Sequence, residues 1–505
     1  MNKNFYVTTP IYYVNDVPHI GSVYTTLAAD VIARFKRLDG YTVKFMTGTD
    51  EHGQKVEKAA LKAGMDPQEF TDKVSLRFRE VFDLMNLSYD DFIRTTETRH
   101  KKAATALWNK LQENGQIYLD KYSGWYSVRD ETFYNEDELV EGKAPTGAEV
   151  EWVSEESYFF KLSEYQDKLL ELYEKQPDFI SPSFRRNEVI NFVKSGLRDL
   201  SVSRTTFKWG IPIPGNDQHI MYVWLDALTN YLSVVGYPDV ECADFKTFWP
   251  ANLHIVGKDI TRFHAVYWPA FLMAAGIDLP KRIVSHGWWL IEGEKMSKSL
   301  GNVINPIDLI NEFGVDATRY YLMREIPFGN DGNFTRHSFI KRVNSELANN
   351  IGNLVQRTLS MICKHCDGKI PQTNEAIYDQ EELLQFAESL LIKIRTQIDQ
   401  QLIHTVIEDI IDLSNRANIY IDHQAPWVLK KTDETKMRNV LYILAETIRY
   451  IAILLQPFVP ESATKILDQL SVSQDDREFS YLNRGYALKA GTKIPEPEGV
   501  FPRVV

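Results

Sequence analysis

Cysteine is scarce: only Cys242, Cys363 and Cys366 occur in 505 residues. Three thiols cannot build a disulfide framework, and the scarcity suits a reducing compartment. Cys363 and Cys366 form one C-x-x-C, but a structural zinc site needs four ligands and there is no second pair, so ordinary partly buried thiols are expected. Also missing is any apolar run of about 20 residues, the length that spans a bilayer. The opening MNKNFYVTTPIYY has neither the apolar core of a secretory signal nor the Arg/Ser richness of a transit peptide. A cytoplasmic protein with no membrane partner is the expectation. Positive charge is not in excess either: 57 Lys and Arg against 69 Asp and Glu leave a net charge of −12. That argues against indiscriminate nucleic-acid binding, where affinity comes from neutralised phosphates, but not against a shaped partner met by a local basic face. The sequence has no repeats and no low-complexity tract.

A chain of this length exceeds one compact core, so two to four domains are expected. Phe5 to Thr9 reads as a strand. After Pro18, Val23, Leu27, Val31 and Phe35 recur at helical spacing until Gly40, and Thr42 to Met46 reads as a second strand. Strand, helix, strand predicts a parallel α/β unit with functional residues beyond the carboxyl ends of its strands. From about Gly115 to Arg204 the texture turns aromatic and acidic (Trp125, Tyr126, Phe133, Tyr134, Trp152, Tyr158 to Phe160), as in an inserted module. The α/β pattern resumes at Met221 to Trp224 and at Leu253 to Gly257. Beyond about residue 340, rows such as Leu390, Leu391, Ile394, Ile398 and Val440, Leu444, Ile448, Ile451 predict an all-helical domain. The expected divisions are 1–115, 116–220, 221–290, 291–340 and 341–505.

Two constellations carry chemistry. Pro18-His19-Ile20-Gly21-Ser22 opens the first helix, where unpaired N–H groups suit a phosphate, Gly21 allows close approach and His19 supplies a donor. Lys295-Met296-Ser297-Lys298-Ser299-Leu300-Gly301 reads as a cationic loop able to neutralise a departing pyrophosphate. Taken singly, each has an ordinary alternative, a chance helix start or a solvated basic turn. In this order, with Lys295 276 positions after His19, they resemble the paired HIGH and KMSKS motifs of class I aminoacyl-tRNA synthetases. The second motif is complete; in the first, Ser22 stands where the second histidine is usual.

The resemblance extends along the whole chain to the methionyl branch of that family. Ile11-Tyr12-Tyr13-Val14-Asn15 precedes the first motif, Gly48-Thr49-Asp50-Glu51-His52-Gly53 follows it, and Tyr222 to Leu228 with His286-Gly287 precede the second. It implies a Rossmann-like parallel-sheet catalytic domain with an inserted connective module, followed by an all-α anticodon-binding helix bundle. It implies ATP, with Mg2+, held by His19, Gly21, Ser22, Lys295, Met296, Ser297, Lys298 and Ser299, with His19, Lys295 and Lys298 catalytic. It implies a methionine pocket of Ile11, Tyr13, Trp224, Ala227, Leu228, Tyr231 and His286, with Asp50 on the substrate ammonium. Aromatic packing and hydrogen bonds from Tyr231 and His286 near the sulfur suit a thioether. Without the resemblance, simple core packing is the lesser alternative for Trp224 and Tyr231.

Where many relatives carry zinc knuckles of C-x-x-C pairs, Ser127 and Asp130 stand in place of one pair and the other is missing near Thr146 to Glu149. Serine is not a usual zinc ligand. A zinc-free insert held by its aromatic residues is therefore expected. Gly115 to Arg204 is also too short for the large editing domain of the isoleucyl, valyl and leucyl enzymes. In the helical part, Asn353 and Arg357 share a helix face at i, i+4, and Trp427 follows Pro426. By resemblance these read the anticodon, Arg as a donor fork and Trp as a stacking platform. The implied partners are tRNA(Met), initiator included, methionine and ATP. A monomer is expected, since no strand-rich extension follows the helices before Val505. The other readings are a different class I synthetase, a small-molecule nucleotidyltransferase and a catalytically silent tRNA-binding protein.

Overall fold

The computed structural model of the chain describes residues 3–14, 18–130, 132–134, 136–296, 303–373 and 377–504. Strands β1 (Asn4–Thr8), β2 (Tyr12–Tyr13), β3 (Thr42–Asp50) and β4 (Asp91–Arg94) join strands Leu253–Gly257, Ile283–His286 and Ile180–Ser181 in a seven-stranded sheet. Every pairing in it is parallel, and Val7 lies opposite Leu253. The first fifty residues and the segment after 220 thus share one sheet, as the resumed α/β pattern predicts. Side chains alternate along the strands. Tyr6, Met46, Ile93 and Val256 enter one apolar core, and Val7, Phe45, Phe92 and Ile255 the other. Helix α1 (Ile20–Leu38) covers the second face, and helices Thr98–Glu113 and Trp268–Ala275 cover the first. β3 runs four residues past the expected Met46, because Thr47, Gly48 and Thr49 are laddered to β4 and stay buried.

The span 116–220 is only partly an insert. Strands Ile117–Ser127, Thr132–Tyr134, Glu151–Phe160 and Leu200–Ser201 form an antiparallel sheet of their own. Between them, Ile180–Ser181 returns to the main sheet beside Ile283 and Val284. The aromatic residues hold the base of this module: Trp108 meets Tyr158 at 5.5 Å between ring centroids, and Phe160 meets Phe271 at 4.8 Å. At the tip Trp125 and Trp152 meet edge-on with centroids 5.3 Å apart and Tyr126 is buried, although Trp152 itself is 57% exposed. The tip is tied further by Asp130, whose carboxylate accepts from Ser127 Oγ (3.2 Å), Tyr134 OH (3.1 Å) and Thr146 Oγ1. Arg129 Nη2 adds a bond to the Thr146 carbonyl at 2.6 Å.

The helical rows seen in the sequence become helices Glu382–Asp399 and Glu434–Leu455, with Leu390, Ile394, Val440, Leu444 and Ile448 all buried. Their core is continuous with that of α1. Cys363 and Cys366 lie at the end of helix Asn353–His365, where burial pushes both thiols up. They behave as packed thiols. Among the described residues no helix is long and apolar enough to cross a membrane.

Candidate active site

His19 is the N-cap of α1. Its Nδ1 accepts from Gly21 N at 3.0 Å, so the neutral ring carries its proton on Nε2. A Cβ on Gly21 would sit 2.8 Å from His19 Cε1, so only glycine lets the imidazole fold over the helix start. Ser22 completes the cap, accepting from His19 N (3.2 Å) and donating to His19 O (2.8 Å). A hydroxyl in place of a second imidazole therefore makes the helix entrance rather than leaving a gap. The result is an exposed imidazole beside the positive end of a 19-residue helix.

This entrance opens into a cavity of about 1590 Å³. Gly21, Ser22, Ile11, Tyr13, Asp50, Trp224, Ala227, Leu228, Tyr231, His286 and Met296 all line it with His19. The residues come from the ends of β1, β2 and β3, the start of α1, helix Val223–Leu228 and strand Ile283–His286, that is, from the carboxyl edge of the sheet. Trp224 stacks flat on Phe263, with centroids 3.8 Å apart.

Tyr231 and His286, the two polar residues expected near the sulfur, both line the cavity. The Tyr231 hydroxyl meets a residue that the sequence does not single out, His264, at Nε2 (2.6 Å). His264 Nδ1 lies 3.0 Å from the Ile260 carbonyl, which can only accept, so Nε2 accepts from Tyr231. Burial pushes the His264 imidazole down to about 4, so it is neutral at pH 7. His286 sits at the α1 end of the cavity, with Nε2 2.7 Å from Thr25 Oγ1 and its ring edge-on to Tyr24. Its imidazole is also held low by burial. The signal that could have found His264 was its place seven positions beyond Gly257, the carboxyl end of a central strand.

Strands Trp289–Ile291 and Glu294–Lys295 pair as a hairpin through Glu292 and Gly293, both at positive φ. Gly287 makes the approach possible: a Cβ there would meet the Asn330–Asp331 backbone at 2.3 Å. Asp331 then accepts from Trp288 N (2.8 Å) and from Lys258 Nζ (2.6 Å). The hairpin delivers Met296 to the cavity. The Lys295 side chain and Ser297, Lys298 and Ser299 lie outside the described residues.

Residues 5–151 and 138–359 match the family model for class I tRNA synthetases (M), and residues 370–505 match that for the anticodon binding domain of methionyl tRNA ligase. The chain belongs to the methionyl class I tRNA synthetases. Methionine–tRNA ligases of Rickettsia felis and Rickettsia conorii are each 60% identical, covering all of this chain and 99% and 100% of theirs. A Mycobacterium tuberculosis methionyl-tRNA synthetase in complex with methionyl-adenylate superposes with a TM-score of 0.95 at 50% identity, over 99% of this chain and all of that one. Its apo form gives 0.88 at 47%, over 100% and 98%.

The second site expected of a methionyl synthetase lies in the helical domain. Asn353 and Arg357 stand one turn apart on helix Asn353–His365. Arg357 lies over the Trp427 ring, 5.1 Å from its centroid, and donates to Asp422 Oδ1 at 2.6 Å. Ala425 at φ 46° breaks the chain direction, so Trp427 begins a new helix and is 40% exposed. Asn353 lines a separate open cleft with Gln356 and the 499–503 segment. Trp427 is thus a surface platform under a guanidinium and not a core residue.

Proposed function

We propose that the large cavity binds methionine and ATP side by side and that the enzyme joins them before loading tRNA. The observation that carries this reading is the meeting of the His19 entrance, Met296 and the Tyr231–His264 pair in one cavity. Methionine lies with its thioether among Trp224, Ala227, Leu228 and Tyr231 and its ammonium towards Asp50. Ile11 and Tyr13 close the pocket, and His264 joins it. ATP lies over Gly21 and Ser22, with Mg2+ as its companion substrate ion and His286 near the α1 side. A methionine carboxylate oxygen attacks the α-phosphorus, and the bond to the β-phosphate oxygen breaks. The electron pair leaves with pyrophosphate, and methionyl-adenylate remains. In the second step the 2′-hydroxyl of the terminal adenosine attacks the adenylate carbonyl carbon, its proton is lost and AMP departs.

No protein nucleophile is needed, so catalysis is positioning and charge stabilisation. His19 Nε2–H and the cations Lys295 and Lys298 oppose the charge on the leaving phosphates. Asn353, Arg357 and Trp427 bind the anticodon of tRNA(Met). Methionine-dependent ATP–pyrophosphate exchange tests the first step: activity is expected with methionine and not with isoleucine, valine or leucine, and equal exchange across amino acids overturns the assignment. Lys298→Ala is expected to keep methionine binding and to slow exchange at least about tenfold, roughly 1.4 kcal/mol. A smaller effect removes Lys298 from the mechanism.

A further inference from the structure

Asp226 lies beside the methionine pocket without lining it. It is fully buried on helix Val223–Leu228, between the pocket residues Trp224 and Ala227. Both of its oxygens meet imidazoles: Oδ2 is 2.7 Å from His52 Nδ1, and Oδ1 is 2.7 Å from His100 Nε2. A carboxylate can only accept, so each histidine carries a proton on the nitrogen facing it. Burial alone would push the Asp226 carboxyl up, but His52 and His100 hold it well below the usual carboxylate range.

The two histidines come from different elements. His52 follows Asp50 by two residues at the end of β3, and its carbonyl accepts from Tyr13 OH at 3.1 Å. Its ring is met edge-on by Trp209, with centroids 5.6 Å apart. His100 belongs to helix Thr98–Glu113 and reaches Ser233 Oγ at 3.0 Å. The end of β3 carries Asp50, on the ammonium side of the pocket, and helix Val223–Leu228 carries its apolar side. These two walls lie far apart in the chain, and the His52–Asp226 bond ties one to the other.

We propose that Asp226, braced by His52 and His100, is a positioning residue that fixes the spacing between the ammonium end and the thioether end of the methionine pocket. It touches neither substrate. The proposal rests on the methionine-site reading given above. A rigid outer brace matters because an error of about 1 Å in a bound geometry can cost on the order of a hundredfold. The effect should fall on the amino acid and spare the nucleotide, which binds at the other end of the cavity.

Pyrophosphate exchange on the purified full chain gives the test. Asp226→Asn keeps the volume but turns one acceptor into a donor facing an imidazole N–H. It is expected to raise the KM for methionine at least tenfold and to leave the KM for ATP within twofold. Discrimination against ethionine, one methylene longer, should fall at least fivefold in the ratio of kcat/KM values. Equal changes in both KM values, or none in either, overturn the proposal. A second pair decides even if Asp226→Asn does not fold. His52→Asn can keep a donor at the Nδ1 position, and His52→Ala removes it. The proposal requires a raised methionine KM in His52→Ala with rescue in His52→Asn, and it fails if the two behave alike. Trp224→Ala separates the two levels. If it raises the methionine KM while Asp226→Asn does not, the brace is wrong and the pocket stands. If Trp224→Ala changes nothing, the pocket reading falls and the brace with it.

Discussion

Arg319 Nη2 lies 2.6 Å from Asp30 Oδ2, with both side chains wholly shielded from solvent. Asp30 sits on α1, the helix that His19 caps. Arg319 also donates to the carbonyls of Phe458 (3.1 Å), Pro457 (2.9 Å) and Met85 (3.0 Å). One guanidinium thus joins α1 to the helical domain, with Ser88 N satisfying the other Asp30 oxygen at 2.6 Å.

Removing one partner of a buried pair costs about 3–5 kcal/mol, and here the lower end applies because Arg34 Nε, 2.9 Å from Asp30 Oδ2, still opposes the carboxylate. Arg319→Met is expected to lose stability in that range in urea unfolding. Adding Asp30→Asn should restore part of it, because the buried carboxylate that has lost one of its two arginines goes. A loss below about 1 kcal/mol in Arg319→Met would mean the pair holds nothing together.

The Tyr231–His264 pair gives a pH dependence with a definite sign. His264 titrates near 4 in the fold and near 6.5 in the unfolded chain. The unfolded state therefore binds the extra proton first, and the contribution of His264 to stability is complete above about pH 6.5 and lost as pH falls towards 4. The ceiling is on the order of 3 kcal/mol, of which about 2 is gone by pH 5. Melting followed from pH 7 to pH 5 should fall less in His264→Gln than in the parent. Parallel curves would show that His264 does not titrate as its burial implies.

Much of this was legible because it is local. The α/β alternation, the α1 entrance and the long helical rows rest on side-chain periods of 2 and 3.6 within short windows. What escaped the sequence rests on pairings across the chain. His264 stands in an apolar helix and looks like a core histidine until Tyr231, 33 positions earlier, is folded against it. Ile180–Ser181 is two residues of strand inside a span of different texture, too short to show alternation. The Asp130 knot uses Ser, Thr, Tyr and Asp, which are ordinary turn residues until their oxygens converge. Asp226 and His52 lie inside recognisable stretches and His100 does not, and nothing in one dimension says that the three touch.

The Asp130 knot also bears on metal content. Ser127, Asp130 and Thr146 spend their oxygens on one another, and among the described residues no three His, Cys, Asp or Glu side chains gather as a metal site. Elemental analysis of the pure protein is expected to find less than about one tenth of an equivalent of zinc, since a closed zinc site needs four ligands. Asp130→Ala should loosen the tip, read as faster proteolysis between residues 127 and 149. One tightly held equivalent of zinc, or unchanged proteolysis, would contradict this account of the tip.

Trp427 is exposed beneath Arg357, which Asp422 holds in place at 2.6 Å. An indole in that setting offers one face to a splayed-out base, a contact worth about 1–3 kcal/mol. Trp427→Ala should then weaken aminoacylation roughly ten- to a hundredfold through tRNA binding. Methionine-dependent pyrophosphate exchange involves no tRNA and should stay near normal. A packed core tryptophan would behave differently, because truncation would open a cavity and lose about 3–5 kcal/mol of stability. The exposure of Trp427 argues against that, so its melting temperature should hold. Asp422→Asn gives a milder second reading, since it frees the guanidinium without touching the ring, and a few-fold loss with tRNA alone is expected. If Trp427→Ala melts early, or if tRNAs with altered anticodons are charged as well as the normal one, this face does not read the anticodon.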